Sequence, residues 1–407
     1  MRRAVLCAAL AAVSLPLGAG AQTLTLTESE ALARLSPTNP RVRAIRAMVD
    51  IAQVDVLAAS RWPNPQPSLT RESVAGVTEY LTTVSQVLPI TGRRGLDAQA
   101  ATALVSASAS RADAEVRRLR TDLRLTFADL LAAQDREREL IAARDRLREV
   151  AGVLATREKE GDAAGFDRLR AEREVLDVEA DLALVTTERA GAQATLAGFL
   201  GNVPDHSQIV AVRTAPSTLA VPALDALLQQ AASTREDVIA LQRELESADL
   251  AARAADRRWV PEPEIVAGTK SSNLGGGDIG SVFAVRAAIP LFDRFQPERT
   301  LAAARSAQAR ARAESFRFML RAQVAALRDA VIQRRAAAER YRAEAVNSAG
   351  QIERIAQVSY DAGERGILEL LDANRIGVSA RARQAALDLA VRRAEIELSF
   401  ATGWEVQ

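Results

Sequence analysis

Leu140, Leu147 and Leu154 stand seven residues apart with Val150 between them, and upstream Val116, Leu119, Leu123, Phe127 and Leu130 follow steps of three and four. Such spacing draws one narrow apolar stripe along a helix, the seam of a coiled coil. Residues 96–158 contain no proline and a single glycine, Gly152. At 1.5 Å per residue this predicts one helix of roughly 95 Å. The stretch 298–358 has the same pattern, again without proline and with one glycine, Gly350. Helices of that length have no single globular core to wrap.

A different period governs two shorter regions. Around Ser281 to Ile289, Phe283, Val285, Ala287 and Ile289 fall on one face and Arg286 on the other, a period of two that predicts a strand. Pro263 to Ser271 is its partner, and the turn formers Asn273 to Asp278 separate them. The triple glycine Gly275 to Gly277 lacks the Gly-Lys-Ser/Thr of a phosphate loop and reads as that hairpin turn. In the first half of the chain, Gln66 to Val74 and Thr78 to Leu88 form a second hairpin turning near Gly76, with weaker alternation. Strands of about 9 to 11 residues suit an outer-membrane barrel. A spanning sheet must close on itself, and the smallest such barrels have about eight strands. One chain with four strands therefore cannot close a barrel, so the reading requires several identical chains in a cyclic assembly.

The helical pattern is broken twice in the same way. REKEGDAAGFDRLRAER, Arg157 to Arg173, and SYDAGERGILELLDANR, Ser359 to Arg375, each place glycines before a resumed apolar ladder that carries carboxylates. Glycine accepts the left-handed backbone that reverses a helix. Glu369 and Asp372 are three apart and share one helix face.

These landmarks recur. Arg61-Trp62, Pro89 and Gly161 return as Arg258-Trp259, Pro290 and Gly363, each about 200 residues later, which marks an internal duplication. The organisation read from it is a signal peptide at 1–21, a first repeat at 22–220 and a second at 221–407. The first repeat holds a strand hairpin near 66–88 and a long helix pair near 93–200. The second holds a hairpin near 263–290 and a helix pair near 293–403. The fold class is mainly α with a β-barrel portion, long coiled-coil helices with four membrane strands per chain.

Composition agrees with paired helices: aromatics are 4% and the charge is nearly balanced, with 53 basic against 52 acidic residues. Balanced charge gives no reason to expect nucleic acid as a partner. Arg2 and Arg3, the apolar run Ala4 to Leu17 and the small residues Ala19-Gly20-Ala21 have the layout of a secretory signal. The one cysteine, Cys7, lies within it, so the exported chain is expected to carry no disulfide, thiolate site or lipid anchor. His206, the one histidine, lacks a nucleophile elbow, and Met48 and Met319 are the only methionines after Met1. Neither catalysis, a cofactor nor a resident metal site is expected.

YDAGERGILELLDA, Tyr360 to Ala373, resembles the second periplasmic helix turn of the TolC family of outer-membrane efflux proteins. GDAAGFDRLRAE is similar to that family's first turn, and VLPITGRRG and IPLFDR to its strand-to-helix junctions; IPLFDRFQPE leans toward the heavy-metal resistance branch typified by CzcC. The resemblance implies a trimer closing a twelve-stranded barrel in the outer membrane, continuous with a periplasmic helical tunnel. It further implies a periplasmic adaptor and an inner-membrane pump of the resistance-nodulation-division type as partners, and outer-membrane lipid around the strands. Glu369 and Asp372 then fall at the pore constriction, and Tyr360 and Arg365 at the latch that holds the tip closed. Gly161, Asp167, Leu169, Gly363 and Leu370 are the expected adaptor contacts at the helix tips. The function so implied is a passive exit duct, with heavy-metal cations as one cargo. Drug efflux, type I protein secretion and a poreless periplasmic scaffold are the alternatives.

Overall fold

The computed structural model describes residues 23–161, 165–201, 203–213 and 219–404. The segment read as a signal peptide lies outside the described residues. In chain order the elements are β1 (Leu24–Leu26), α1 (Glu28–Ala33), α2 (Pro40–Ser60), β2 (Gln66–Val74), β3 (Val77–Val87), α3 (Arg93–Glu160) and α4 (Gly165–Leu200). They continue as β4 (Ile209–Ala211), α5 (Leu224–Thr234), α6 (Glu236–Asp256), β5 (Glu264–Ser272), β6 (Ile279–Arg286), α7 (Gln296–Tyr341), α8 (Asn347–Asp361) and α9 (Ile367–Thr402). The chain forms two compact units, one of 1–34 with 129–215 and one of 35–128 with 216–407.

In the first unit the seam leucines Leu140, Leu147 and Leu154 are buried, as are Val175, Val185 and Leu196 of α4. Ion pairs flank that seam: Arg189 with Glu137 at 2.8 Å and Arg136 with Glu188 at 2.8 Å. β1 and β4 pair in parallel over three residues. Two helix glutamines peg β4 in place. Gln134 accepts from the Ala211 N–H at 2.9 Å and donates to its carbonyl at 3.0 Å, while Gln193 donates to the Ile209 carbonyl at 2.8 Å. α1 starts on a capping box in which the Thr27 backbone N–H and hydroxyl donate to Glu30, holding that carboxyl below its usual range.

The second unit is organised by a knot of helices. Leu227, Val238, Leu320, Val324, Val331, Leu398 and Trp404 form one buried apolar cluster drawn from α5, α6, α7, α9 and the tail just past α9. Arg235, at the α5–α6 corner, is buried beside it, with its guanidinium 5.2 Å from the Phe316 ring centre and 5.4 Å from that of Phe400. Arg335 of α7 grips the buried Glu395 of α9 through two nitrogens at 2.8 and 2.6 Å, and donates to the Leu219 carbonyl at 2.7 Å.

Above this helical scheme stands the sheet. Its strands run β2-β3-β5-β6, every neighbouring pair antiparallel, with β2 and β6 as edges. The register sorts the side chains. Leu69, Tyr80, Val84, Ile265, Ala267, Ile279, Phe283 and Val285 share one face, on which Arg71 is the only charge. The other face mixes Leu81, Val87, Val266 and Val282 with the charges Glu72, Glu79, Glu264, Lys270 and Arg286, and Lys270 is bonded to Glu79 at 2.6 Å. The sheet curls toward this mixed face. Val266 there is 2% exposed, and at Gly268 a Cβ would stand 2.1 Å from the Thr82 carbonyl oxygen. The apolar face is the exposed, convex one. Among the described residues no helix is long and apolar enough to cross a membrane.

Two elements differ clearly from the sequence reading. β6 stops at Arg286, so Ala287 and Ile289 lie beyond the strand. The expected helix over 298–358 is interrupted by a π turn at Arg342–Val346. The junction entering α7 is turned by non-glycine residues, since Arg294 and Phe295 have φ of +50° and +53°. Asp293 holds that reversal by accepting from the Phe295 N–H at 3.2 Å. The junction entering α3 uses Gly92 instead, at φ +70°, with the Arg257 guanidinium donating to the adjacent Thr91 carbonyl at 3.0 Å.

Candidate functional site

The α8–α9 turn belongs to the second unit. α8 runs out at Asp361 and Gly363 takes φ +72°. Its N–H donates to the Tyr360 carbonyl at 3.0 Å, and the Glu364 N–H to that of Ser359 at 2.9 Å. Those two bonds make a Schellman cap, which satisfies the last carbonyls of α8 and needs a glycine at the left-handed position. The Arg365 N–H adds a third, to Ser359 at 3.2 Å. Tyr360 is half-buried in the last turn of α8, and the Arg365 side chain is exposed.

α9 then restarts with its phase fixed by burial. Ile367, Leu370, Leu371, Gly377, Ala380 and Gln384 are buried, and Glu369 and Asp372 lie exposed on the other side. The structure thus brings the two carboxylates together on one outward stripe. Leu370, expected at the surface, is 1% exposed, so it holds the hairpin together; the outward leucine of that turn is Leu368, at 44%.

One ion pair ties the two helices of the hairpin together. Arg381 of α9 makes a two-pronged bond to Glu353 of α8, both contacts 2.9 Å. Glu353 lies across Gly377 so closely that a Cβ there would be 1.7 Å from its Oε1. Gly377→Ala gains about 1 kcal/mol of helix propensity but displaces a charge-assisted pair of roughly 1.5–3 kcal/mol. A net loss of about 1 kcal/mol is expected, read as a lowered denaturation midpoint, and Glu353→Ala should remove most of the difference.

The other turn, in the first unit, is built differently. Gly161 has φ +85° and its N–H donates to the Glu158 carbonyl at 3.1 Å. Arg168 bridges the two helices, contacting Glu158 at 2.5 Å and Glu172 at 2.8 Å, and those bonds to Glu172 and then Glu158 raise its pKa further. Asp167 is half-buried and Leu169 exposed. Phe166, not singled out in the sequence, is 65% exposed beside it. The signal available was its position directly after the second glycine of the turn.

At the strand-to-helix ends of the sheet unit, Trp62, Trp259, Leu291 and Phe292 are all exposed, Phe292 at 99%. Tyr80, with the Arg71 guanidinium 5.8 Å from its ring centre, lies near the hairpin ends. Aromatic residues thus flank the apolar face at both its ends. Among the described residues no group of three or more His, Cys, Asp or Glu side chains is placed to hold a metal ion.

Residues 227–404 match the model of a protein family described as outer membrane efflux protein. No curated protein gives a match. Several solved structures do. A membrane protein from Pseudomonas aeruginosa superposes with a TM-score of 0.79 at 19% identity, covering 92% of this chain and 93% of the other. The outer membrane protein VceC of Vibrio cholerae gives 0.77 at 18%, covering 93% and 97%. The MtrE outer membrane channel of Neisseria gonorrhoeae, solved in its open state, gives 0.75 at 17%, covering 93% and 89%. The chain has the fold of these proteins, long helices carrying a small antiparallel sheet.

Proposed function

We propose that this chain is one protomer of an outer-membrane exit duct, a passive channel that receives its cargo from an inner-membrane pump through a periplasmic adaptor. The observation that carries the reading is the sheet. Its convex face is apolar and exposed, its concave face carries most of the charges, and β2 and β6 leave unpaired edges. In water that arrangement is an aggregation hazard. In a bilayer it is a barrel segment whose edges meet those of identical copies, with lipid outside and water within. The exposed Trp62, Trp259 and Phe292 at one end and Tyr80 at the other fit the interfacial girdles of such a barrel. The family match and the fold of solved outer-membrane channels support the same reading.

Three copies of a four-stranded sheet give twelve strands, and threefold symmetry turns Glu369 and Asp372 into stacked acidic rings at the periplasmic constriction. Tyr360 and Arg365 form the latch of that end. The adaptor meets the tips at Gly161, Asp167, Leu169 and Gly363, with Phe166 and Leu368 as exposed apolar contacts. No reaction is catalysed and no cofactor is held, since energy and cargo selection belong to the pump. The heavy-metal branch is the cargo assignment we favour, on IPLFDRFQPE.

The test is conductance. In planar bilayers the assembled protein should show a cation-preferring resting pore, because a ring of carboxylates at the narrowest point repels anions. Glu369→Gln with Asp372→Asn should abolish that preference and widen the resting conductance. Unchanged preference would remove both residues from the constriction.

A further inference from the structure

Most charges of α9 are answered by a partner within the chain. Arg381 holds Glu353, Arg342 holds Asp388 at 2.6 Å, and Arg335 holds Glu395. A set of four is not. Glu369, Asp372, Arg375 and Arg383 are exposed and make no ion pair among the described residues. All four lie on one stripe of α9, turned away from the buried positions Leu370, Leu371, Gly377, Ala380 and Gln384 that face α8. At 100° per residue, Arg383 sits within about 20° of Asp372 around the helix and Arg375 about 60° from it. Uncompensated charge confined to one stripe is what a water-filled lumen tolerates and a packed helix seam does not.

Distance separates the roles of the two arginines. Arg375 is about 4.5 Å along the axis from Asp372, and Arg383 about 16 Å. Ionic screening acts over about 10 Å at 0.1 M salt. Arg375 therefore sits inside the field of the acidic pair and offsets it, whereas Arg383 lies beyond it and acts as a separate positive layer.

We infer that Arg383 is a charge-selectivity residue of the duct, forming a basic ring behind the acidic constriction so that the periplasmic end is a bipolar junction. This rests on the exit-duct reading. An acidic layer followed by a basic one passes small ions more easily under one polarity than the other, because one bias gathers mobile ions at the junction and the other depletes them. Current through the single channel is accordingly asymmetric at 0.1 M salt. At 1 M, where screening shortens to about 3 Å, the asymmetry vanishes.

The experiment is single-channel recording of the full-length assembled protein in planar bilayers with KCl, alongside Arg383→Gln, Arg383→Lys and Arg375→Gln. Arg383→Gln should lose the rectification and shift the reversal potential in a salt gradient toward the potassium limit. Arg383→Lys should keep both as in the parent, which separates charge from a packing effect. Arg375→Gln should deepen cation preference while leaving rectification in place. An ohmic parent, or rectification that survives Arg383→Gln, overturns the basic ring while leaving the duct intact. Absence of any channel from correctly assembled protein overturns the duct reading and this inference with it.

Discussion

Gly268→Val is expected to leave the chain without a detergent-stable, heat-modifiable oligomer. A Cβ at Gly268 stands 2.1 Å from the Thr82 carbonyl oxygen and 2.8 Å from the Thr83 Cα, and these are backbone atoms that cannot swing aside. β3 and β5 are the two central strands, so the clash strikes the pairing that joins the two hairpins into one sheet. Relief requires the strands to part or the curl to flatten. Either outcome spoils closure, because every copy contributes the same defect and a barrel tolerates no open edge in lipid. The measurement is migration of outer-membrane extracts with and without heating. A valine variant that migrates as the parent would mean that the sheet is flatter than described and that its curvature does not matter for assembly. Gly280→Val is the control, since a Cβ there meets only the Lys270 carbonyl, at 4.0 Å.

Glu395→Ala should lower the stability of the helical knot by about 1.5–3 kcal/mol, the loss of the charge-assisted bonds that this buried carboxylate accepts from the half-buried Arg335. Arg335 loses both of its short contacts and keeps the Leu219 carbonyl, and Arg392 loses its 3.7 Å contact to the same carboxylate. Chemical denaturation followed by far-ultraviolet dichroism reads the loss. Adding Arg335→Met to Glu395→Ala should recover much of it, since the half-buried guanidinium that lost its carboxylate is then gone. If the double variant is no better than the single one, the pair is not what stabilises the knot. Leu398→Ala in the apolar cluster of the knot, a cavity change, should cost about 2–5 kcal/mol with no such rescue.

Much of this scheme is legible in the sequence, and the parts that are not have physical reasons. The heptad leucines of α3 and the alternation of Phe283 and Val285 announce helix and strand because each element has one apolar face and so carries a period. The first hairpin reads weakly because its outward face alternates Leu69 and Val84 with Thr82 and Thr78, residues that lipid interfaces accept but that blur a hydropathy pattern. β1 and β4 are three residues each, too short to show any period. The π turn at Arg342–Val346 has no compositional signature. Leu368, Leu370 and Leu371 are near neighbours, and only the phase of α9 against α8 decides that Leu368 faces outward. The acidic pair was visible as a motif. Its contrast with the internally paired charges of Glu353 and Glu395 was not, because ion pairing depends on which residues of a neighbouring helix come within reach. The Arg168 bridge to Glu158 was hidden for the same reason, being set by how the first turn closes.

The central claim is that one chain supplies a third of a closed barrel and cannot work alone. Native mass measurement of the full-length protein extracted from outer membranes in mild detergent tests it directly. The account predicts a single species of three chains that resists dissociation until heated. A solitary chain, recovered from the soluble periplasmic fraction with the apolar face of its strands covered by its own helices, would contradict it.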